Sequence, residues 1–345
     1  MHMSDALLNP AVGLAFWGVS GGLIALSAKK IRDDNDTFKT PLMAVTGAFI
    51  FAAQMINFTI PGTGSSGHLG GGLLLAALLG PYRAFLTLAS VLTVQCLFFA
   101  DGGLLALGCN IFNLAFFPAF IAYPLIFKPL AGNMESSGRL ALASLIAGVA
   151  GLLMGSFSVV LQTVFSGITE LPFGTFAFVM LPIHFAIGLV EGLVVFGVLS
   201  FVRNTQPALL APAAVRTSQG RGIAVAFLVA AIAVGGVVSW FASSHPDGLE
   251  WSIARVTGKE EVEGKPGGLK STLQGIQEKL AFLPDYSFKA LKKAEATAAQ
   301  ENSGSRSPVS AGASVAGLVG ALMVLVLAGG AGLVVRCRKP RHGHS

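Results

Sequence analysis

Nine apolar stretches limit what this chain can fold into. They lie at about 11–27, 41–58, 68–82, 84–100, 104–127, 139–165, 173–202, 222–243 and 312–335. Most are near the ~17–25 residues that a helix needs to cross a bilayer, and none shows the roughly ten-residue alternation of barrel strands. Within lipid, such stretches can satisfy their main-chain N–H and C=O groups internally only as helices. The fold expected is all-α, a polytopic transmembrane helical bundle of about nine spans, seven followed by two. The third stretch is short and opens on Gly-rich sequence, so it is expected to begin below the membrane surface or to be partly re-entrant. Only 12% of residues are charged, about half the share in soluble domains. The 43 glycines suit helices that pack through small residues.

Basic residues orient the bundle. Lys29, Lys30, Arg32 and Lys39, then Arg83, then Lys128 and Arg139, then Arg203, Arg216 and Arg221, then Arg336 to Arg341 all fall on one side if every stretch crosses. The loops 59–67, 101–103 and 166–172 carry no Lys or Arg. Excess positive charge marks the cytoplasmic side, which puts the N-terminus outside and the C-terminus in the cytoplasm of a multi-pass plasma-membrane protein. Topology thus accounts for the net charge of +6, and no nucleic-acid partner is needed. Cys96, Cys109 and Cys337 share no CxxC spacing, so neither a disulfide framework nor a zinc ribbon is expected. Residues 1–203 read as a seven-helix module and 204–221 as a polar linker. Residues 222–345 read as a two-span module with a long extracytoplasmic segment at about 244–311. There, Leu269 to Phe282 has the pattern of a short amphipathic helix, and 294–311 that of a disordered stretch.

The first two residues carry chemistry. The Met1 amine, the His2 amide nitrogen and His2 Nδ1 can reach one metal ion, closing a five-membered and a six-membered chelate ring. A fourth nitrogen from another histidine completes the square-planar set that Ni(II) or Cu(II) prefers; tetrahedral Zn(II) fits poorly. His68 ends the flexible run Gly62-Thr63-Gly64-Ser65-Ser66-Gly67, and the topology puts it on the same face as Met1 and His2. The plain alternative is that His2 is an exposed terminal residue. The N-terminus has no basic region before its apolar stretch, so it is not expected to be cleaved as a signal peptide. His184 and Glu191 are seven apart on one face of the seventh stretch. Intramembrane ionisable residues suggest a relay, but a buried pair bonded to Asn110, Asn113 or Gln54 is the favoured reading. The tail His342-Gly343-His344 reads as part of a solvated basic end.

Several blocks resemble one family. Met1-His2-Met3 with Asp5-Ala6-Leu7-Leu8, Gln54 to Phe58, Gly62 to Gly71, Asp101 to Asn113 and His184 to Gly192 are similar, in order, to the substrate-binding membrane subunit of nickel/cobalt energy-coupling-factor transporters, the NikM/CbiM family. Pro246-Asp247-Gly248-Leu249-Glu250 and Pro284-Asp285-Tyr286 resemble the small two-span component of these systems (NikN, CbiN or PDGLE type), fused here in one chain. The resemblance implies a metal site of Met1, His2 and His68, with Asn57, Ser65 and Ser66 orienting the loop. It implies capture of Ni(II), with Co(II) as the other candidate ion, and assembly with a transmembrane coupling (T) subunit and two cytoplasmic ATPase subunits. Met3 stands where the family more usually has a branched aliphatic, and Ser4-Asp5-Ala6 is a loose version of its acidic-Gly pattern. The chain itself has no GxxxxGK[ST] phosphate loop and no recognisable nucleophile–base motif, so it does not read as an enzyme. No prosthetic group is expected. The rival reading is a stand-alone secondary metal transporter or channel, for which His184, Glu191 and two asparagines make a thin polar path.

Overall fold

The computed structural model describes residues 1–34, 36, 38–210, 221–260, 262, 268–288 and 311–337. Most of the linker (211–220), most of the 294–311 stretch and the histidine-bearing tail lie outside the described residues.

The helices of the first module are α1 (Pro10–Asp33), α2 (Lys39–Gln54), α3 (Gly72–Leu79), α4 (Pro81–Phe99), α5 (Leu107–Ala131), α6 (Ser137–Phe165) and α7 (Phe173–Thr205). A two-stranded antiparallel hairpin, β1 (Phe58–Ile60) and β2 (Ser65–Gly67), lies between α2 and α3, with Phe58 opposite Gly67. The second module has α8 (Arg221–Gly236), α9 (Gly248–Thr257), α10 (Gly268–Leu280) and α11 (Ala311–Cys337). Local chemistry sets these bounds. Asn9 caps α1 by accepting from Val12 N at 2.8 Å, with Pro10 at the first helical position, where its missing N–H costs nothing. Pro118 and Pro124 lie inside α5. Each removes a main-chain donor, and the helix widens to i+5 turns around them, over Phe112–Phe127. Helices α6 and α7 meet through glycine: a Cβ on Gly148 would lie 2.9 Å from Gly192 N, and one on Gly188 2.7 Å from Val149 Cα.

Among the described residues, six helices are long and apolar enough to cross a membrane: α1, α4, α5, α6, α7 and α11. The other three apolar stretches form shorter helices. The 41–58 stretch ends its helix at Gln54 and turns into β1. The 68–82 stretch has four irregular residues, ending with Gly71 at φ 75°, before the 8 residues of α3. All of α3 is buried in the bundle, where non-helical backbone beside it is tolerated because protein, not lipid, surrounds it. Helix α8 stops at Gly236, and Val238–Phe241 form a tighter turn. The amphipathic segment forms α10.

The two-span helices pack on α2. The Phe49 and Phe227 rings meet edge to face at 5.3 Å, and Gly320 lies against the Phe51 ring with no room for a Cβ. At one end of the bundle, Arg83 Nη1 pairs with Asp34 Oδ2 at 2.5 Å and Arg203 Nη1 donates to Met134 O at 3.1 Å. At the other end, residues 1–8, the hairpin, residue 101 and residues 243–248 come together.

Candidate metal site

The N-terminal residues run into the bundle instead of projecting from it. Met1, Met3, Leu7 and Leu8 are all buried. Asn110 on α5 holds Met3 on both sides: Met3 N donates to Asn110 Oδ1 at 2.8 Å, and Asn110 Nδ2 donates back to Met3 O at 3.1 Å. Met3 O also accepts from Gly103 N at 2.9 Å, and Asp5 Oδ1 accepts from Ala106 N at 2.9 Å. Asn113 exchanges two hydrogen bonds of 2.8 Å with Gln162, tying α5 to α6 beneath this segment.

This fastening delivers the Met1 amine to His68, with the nitrogen 2.9 Å from His68 Nε2. His68 Nδ1 lies 3.0 Å from Leu69 O, a contact that assigns the proton to Nδ1 and leaves the Nε2 lone pair facing the amine. Burial, then the charge of the Met1 ammonium, then that of His2, depress the His68 pKa to about 3. The ring is therefore neutral at ordinary pH, the form that binds a metal. His2 stacks on His68 with ring centroids 5.0 Å apart. Its Nδ1 lies 2.7 Å from Asp101 Oδ1, and its Nε2 is buried with no hydrogen-bond partner among the described residues. Met1 and His68 thus converge directly. His2 lies beside them with Nδ1 engaged by Asp101, so the fused chelate expected from the sequence requires the His2 ring to turn away from Asp101. A cavity of about 10 Å³, room for one water-sized particle, lies against Met1, His68, His184 and Asp247. Among the described residues, no group of three or more His, Cys, Asp or Glu side chains is placed to hold a metal.

The loop after His68 is held from beneath by Glu191. Its Oε2 accepts from Gly70 N at 2.9 Å and its Oε1 from Gly71 N at 3.0 Å. Gln54 Nε2 donates to Gly70 O at 2.8 Å, and Gln95 Nε2 donates to Gln54 Oε1 at 2.9 Å. His184 Nδ1 is 2.8 Å from Met180 O, one turn back on α7. Glu191 and His184 therefore bond to main chain, not to Asn110, Asn113 or Gln54 as the sequence suggested. Replacing Glu191 with Gln leaves one of two buried N–H groups without an acceptor. The expected loss is about 1–3 kcal/mol of stability, checked by thermal unfolding in detergent; an unchanged melting temperature would contradict this role for Glu191.

The second module closes over the site. Ser66 N donates to Pro246 O and Ser66 Oγ to His245 O, both at 2.8 Å. Ser243 N donates to Asn57 O at 2.6 Å, and Trp251 Nε1 donates to Thr63 O at 3.0 Å. Ser65 Oγ bonds to Ser66 O at 3.0 Å. Asn57, Ser65 and Ser66 thus each bond to the segment 243–247, and Ser65 also to Ser66. That segment places Asp247 Oδ2 2.5 Å from the Met1 nitrogen and 3.9 Å from His68 Nε2. On the other flank, Tyr286 Oη donates to Asp101 Oδ2 at 2.5 Å, and Gln277 Nε2 donates to Gly102 O at 2.7 Å. Burial alone would raise the carboxyls of Asp247 and Asp101. The Met1 ammonium and then His68 outweigh it for Asp247 and hold it well below the usual carboxylate range. The His2 ring, with hydrogen bonds from His2 and Tyr286, holds Asp101 at about 2. Both are carboxylates at neutral pH. Sequence reasoning missed Asp101, Asp247 and Tyr286 as site residues, although all three lie in the blocks that resemble the family.

Comparison with known proteins is consistent along the whole chain. Residues 2–209 match the family described as the cobalt uptake substrate-specific transmembrane region (CbiM), and residues 221–337 match the PDGLE domain. A protein of Archaeoglobus fulgidus with the provisional name fused nickel transport protein NikMN is 33% identical over 95% of this chain and 96% of its own length. The cobalt transport protein CbiM of Sorangium cellulosum is 30% identical over 61% of this chain and 94% of its own. The crystal structure of a truncated transition metal transporter superposes with a TM-score of 0.52 at 27% identity, covering 59% of this chain and 99% of that one.

Proposed function

The chain belongs to the CbiM family of nickel and cobalt transport proteins, here joined to a PDGLE domain, and we propose that it is the metal-capture subunit of an ATP-driven importer of the energy-coupling-factor type. Membership and its six long apolar helices make it a multi-pass plasma-membrane protein. Ni(II) is the preferred substrate and Co(II) the second. Residues 1–203 form the capture module, with Met1 outside. The C-terminus lies in the cytoplasm, and all nine apolar stretches contribute to the membrane domain.

The observation that carries this reading is the 2.9 Å approach of the Met1 amine to His68 Nε2 with the His2 ring stacked beside it. Two nitrogen donors and the His2 amide lie within a step of one another, beside a cavity with room for one water-sized particle. A divalent ion binding there would displace one proton from the ammonium and one from the His2 amide, which coordinates only when deprotonated, and both protons leave to solvent. The His2 ring then turns from Asp101, its proton passes from Nδ1 to Nε2, and Nδ1 closes the six-membered ring. Amine, amide, imidazole Nδ1 and His68 Nε2 make the planar set that favours Ni(II).

The sequence has no phosphate loop, so energy for uptake must come from partners: a transmembrane coupling subunit and two cytoplasmic ATPases. The test is nickel uptake by cells expressing this chain with and without those partners. Uptake is expected only with the complete set and is lost when ATP is depleted. Uptake by this chain alone would replace this reading with that of a secondary transporter.

A further inference from the structure

We propose that Asp247, on the two-span module, is the outer-sphere carboxylate of the metal site, orienting the Met1 nitrogen as a ligand and balancing the charge of the bound dication. The inference rests on the capture function proposed above and adds to it a residue from the other module. Asp247 divides its two oxygens between two tasks. Oδ1 caps α9, accepting from Leu249 N at 2.8 Å and Glu250 N at 2.9 Å, while Glu250 Oε2 accepts from Asp247 N at 2.9 Å. Oδ2 is left for the Met1 nitrogen. The cap fixes the carboxylate plane, and the bonds from Ser66 to His245 and Pro246 fix the segment that carries it.

An ammonium has three N–H groups, one directed at Asp247 and one at His68 Nε2. When a metal replaces one proton, two N–H groups remain, and one continues to donate to Asp247. The carboxylate thereby holds the nitrogen lone pair in one direction and strengthens it as a donor, as carboxylates do behind histidine ligands. The deprotonated His2 amide offsets one charge of a buried dication and the three neutral nitrogens offset none, so one positive charge is left uncompensated, and uncompensated buried charge is costly. Asp247 supplies a negative charge within contact of the first ligand.

The test is titration of the full chain in detergent with Ni(II) alone, comparing the natural protein with Asp247→Asn and Asp247→Glu. Asn caps a helix as well as Asp does, so Asp247→Asn keeps α9 and removes the charge. It should weaken nickel binding by about 10–100-fold, the usual effect of losing an outer-shell partner, and shrink the nickel-induced rise in melting temperature. Asp247→Glu should restore most of the affinity. Equal affinity in Asp247→Asn and the natural protein would overturn the role of Asp247 while leaving the capture reading intact. Equal loss in Asp247→Asn and Asp247→Glu would mean that the residue acts only through packing, which also overturns it. Failure of the natural protein to bind nickel would overturn both readings.

Discussion

Insertion of two glutamines between Met1 and His2 is expected to abolish high-affinity nickel binding. The insertion separates the amine from the His2 amide by two further peptide units, so the five-membered ring they shared is lost; one inserted residue would not serve, because an Xaa-Xaa-His terminus is itself a square-planar nickel chelator. It also moves the amine. Each residue adds up to ~3.3–3.6 Å of chain, more than the 2.9 Å that separates Met1 N from His68 Nε2. The chain cannot absorb the extra residues downstream, because Met3 is held on both sides by Asn110 and by Gly103 N. The displaced amine loses His68 and Asp247 together. We expect affinity to fall by more than about 100-fold, beyond the range for outer-shell partners, while the metal-free protein stays folded. Nickel titration, with intact-mass measurement of the N-terminus, checks this. Retained affinity would show that the terminal amine is not a ligand.

Replacement of His68 by alanine has the second large effect. It removes the neutral imidazole whose Nε2 faces the amine and leaves the His2 ring without its stacking partner. The loop itself should survive, because Glu191 and Gln54 hold Gly70 and Gly71 and Ser66 holds the closing segment. Binding should again fall by more than about 100-fold, measured by the same titration. An affinity within a few-fold of the natural protein would place the fourth donor elsewhere. His184 is the residue to substitute next in that case, because its Nε2 is buried with no hydrogen-bond partner among the described residues and it lines the same small cavity.

Much of this arrangement is legible in the sequence, for physical reasons that differ by element. Long apolar stretches such as 139–165 and 173–202 read directly as helices because lipid leaves the backbone no alternative. The stretch at 68–82 does not, because hydropathy cannot separate lipid-facing apolar residues from those packed inside protein, and α3 is buried along its whole length. Met1, His2 and His68 could be proposed from donor chemistry and membrane sidedness. Asp101 and Asp247 could not, because their roles come from contacts across 99 and 246 positions of chain, and no periodicity connects such partners. A further signal was available: a buried ammonium and a buried cation site both need a negative partner, and Asp101 and Asp247 lie in loops on that face. Glu191 was visible as an intramembrane acid, but its partners, the N–H groups of Gly70 and Gly71, are main-chain atoms that no side-chain pattern records.

The most direct measurement is visible absorption of the purified full chain during titration with Ni(II). A site built from the Met1 amine, the His2 amide and imidazole and His68 gives one equivalent of nickel with a weak ligand-field band characteristic of a square-planar nitrogen set, absent in the His2→Ala and His68→Ala variants. A six-coordinate nickel spectrum, or the same band in either variant, would contradict the site.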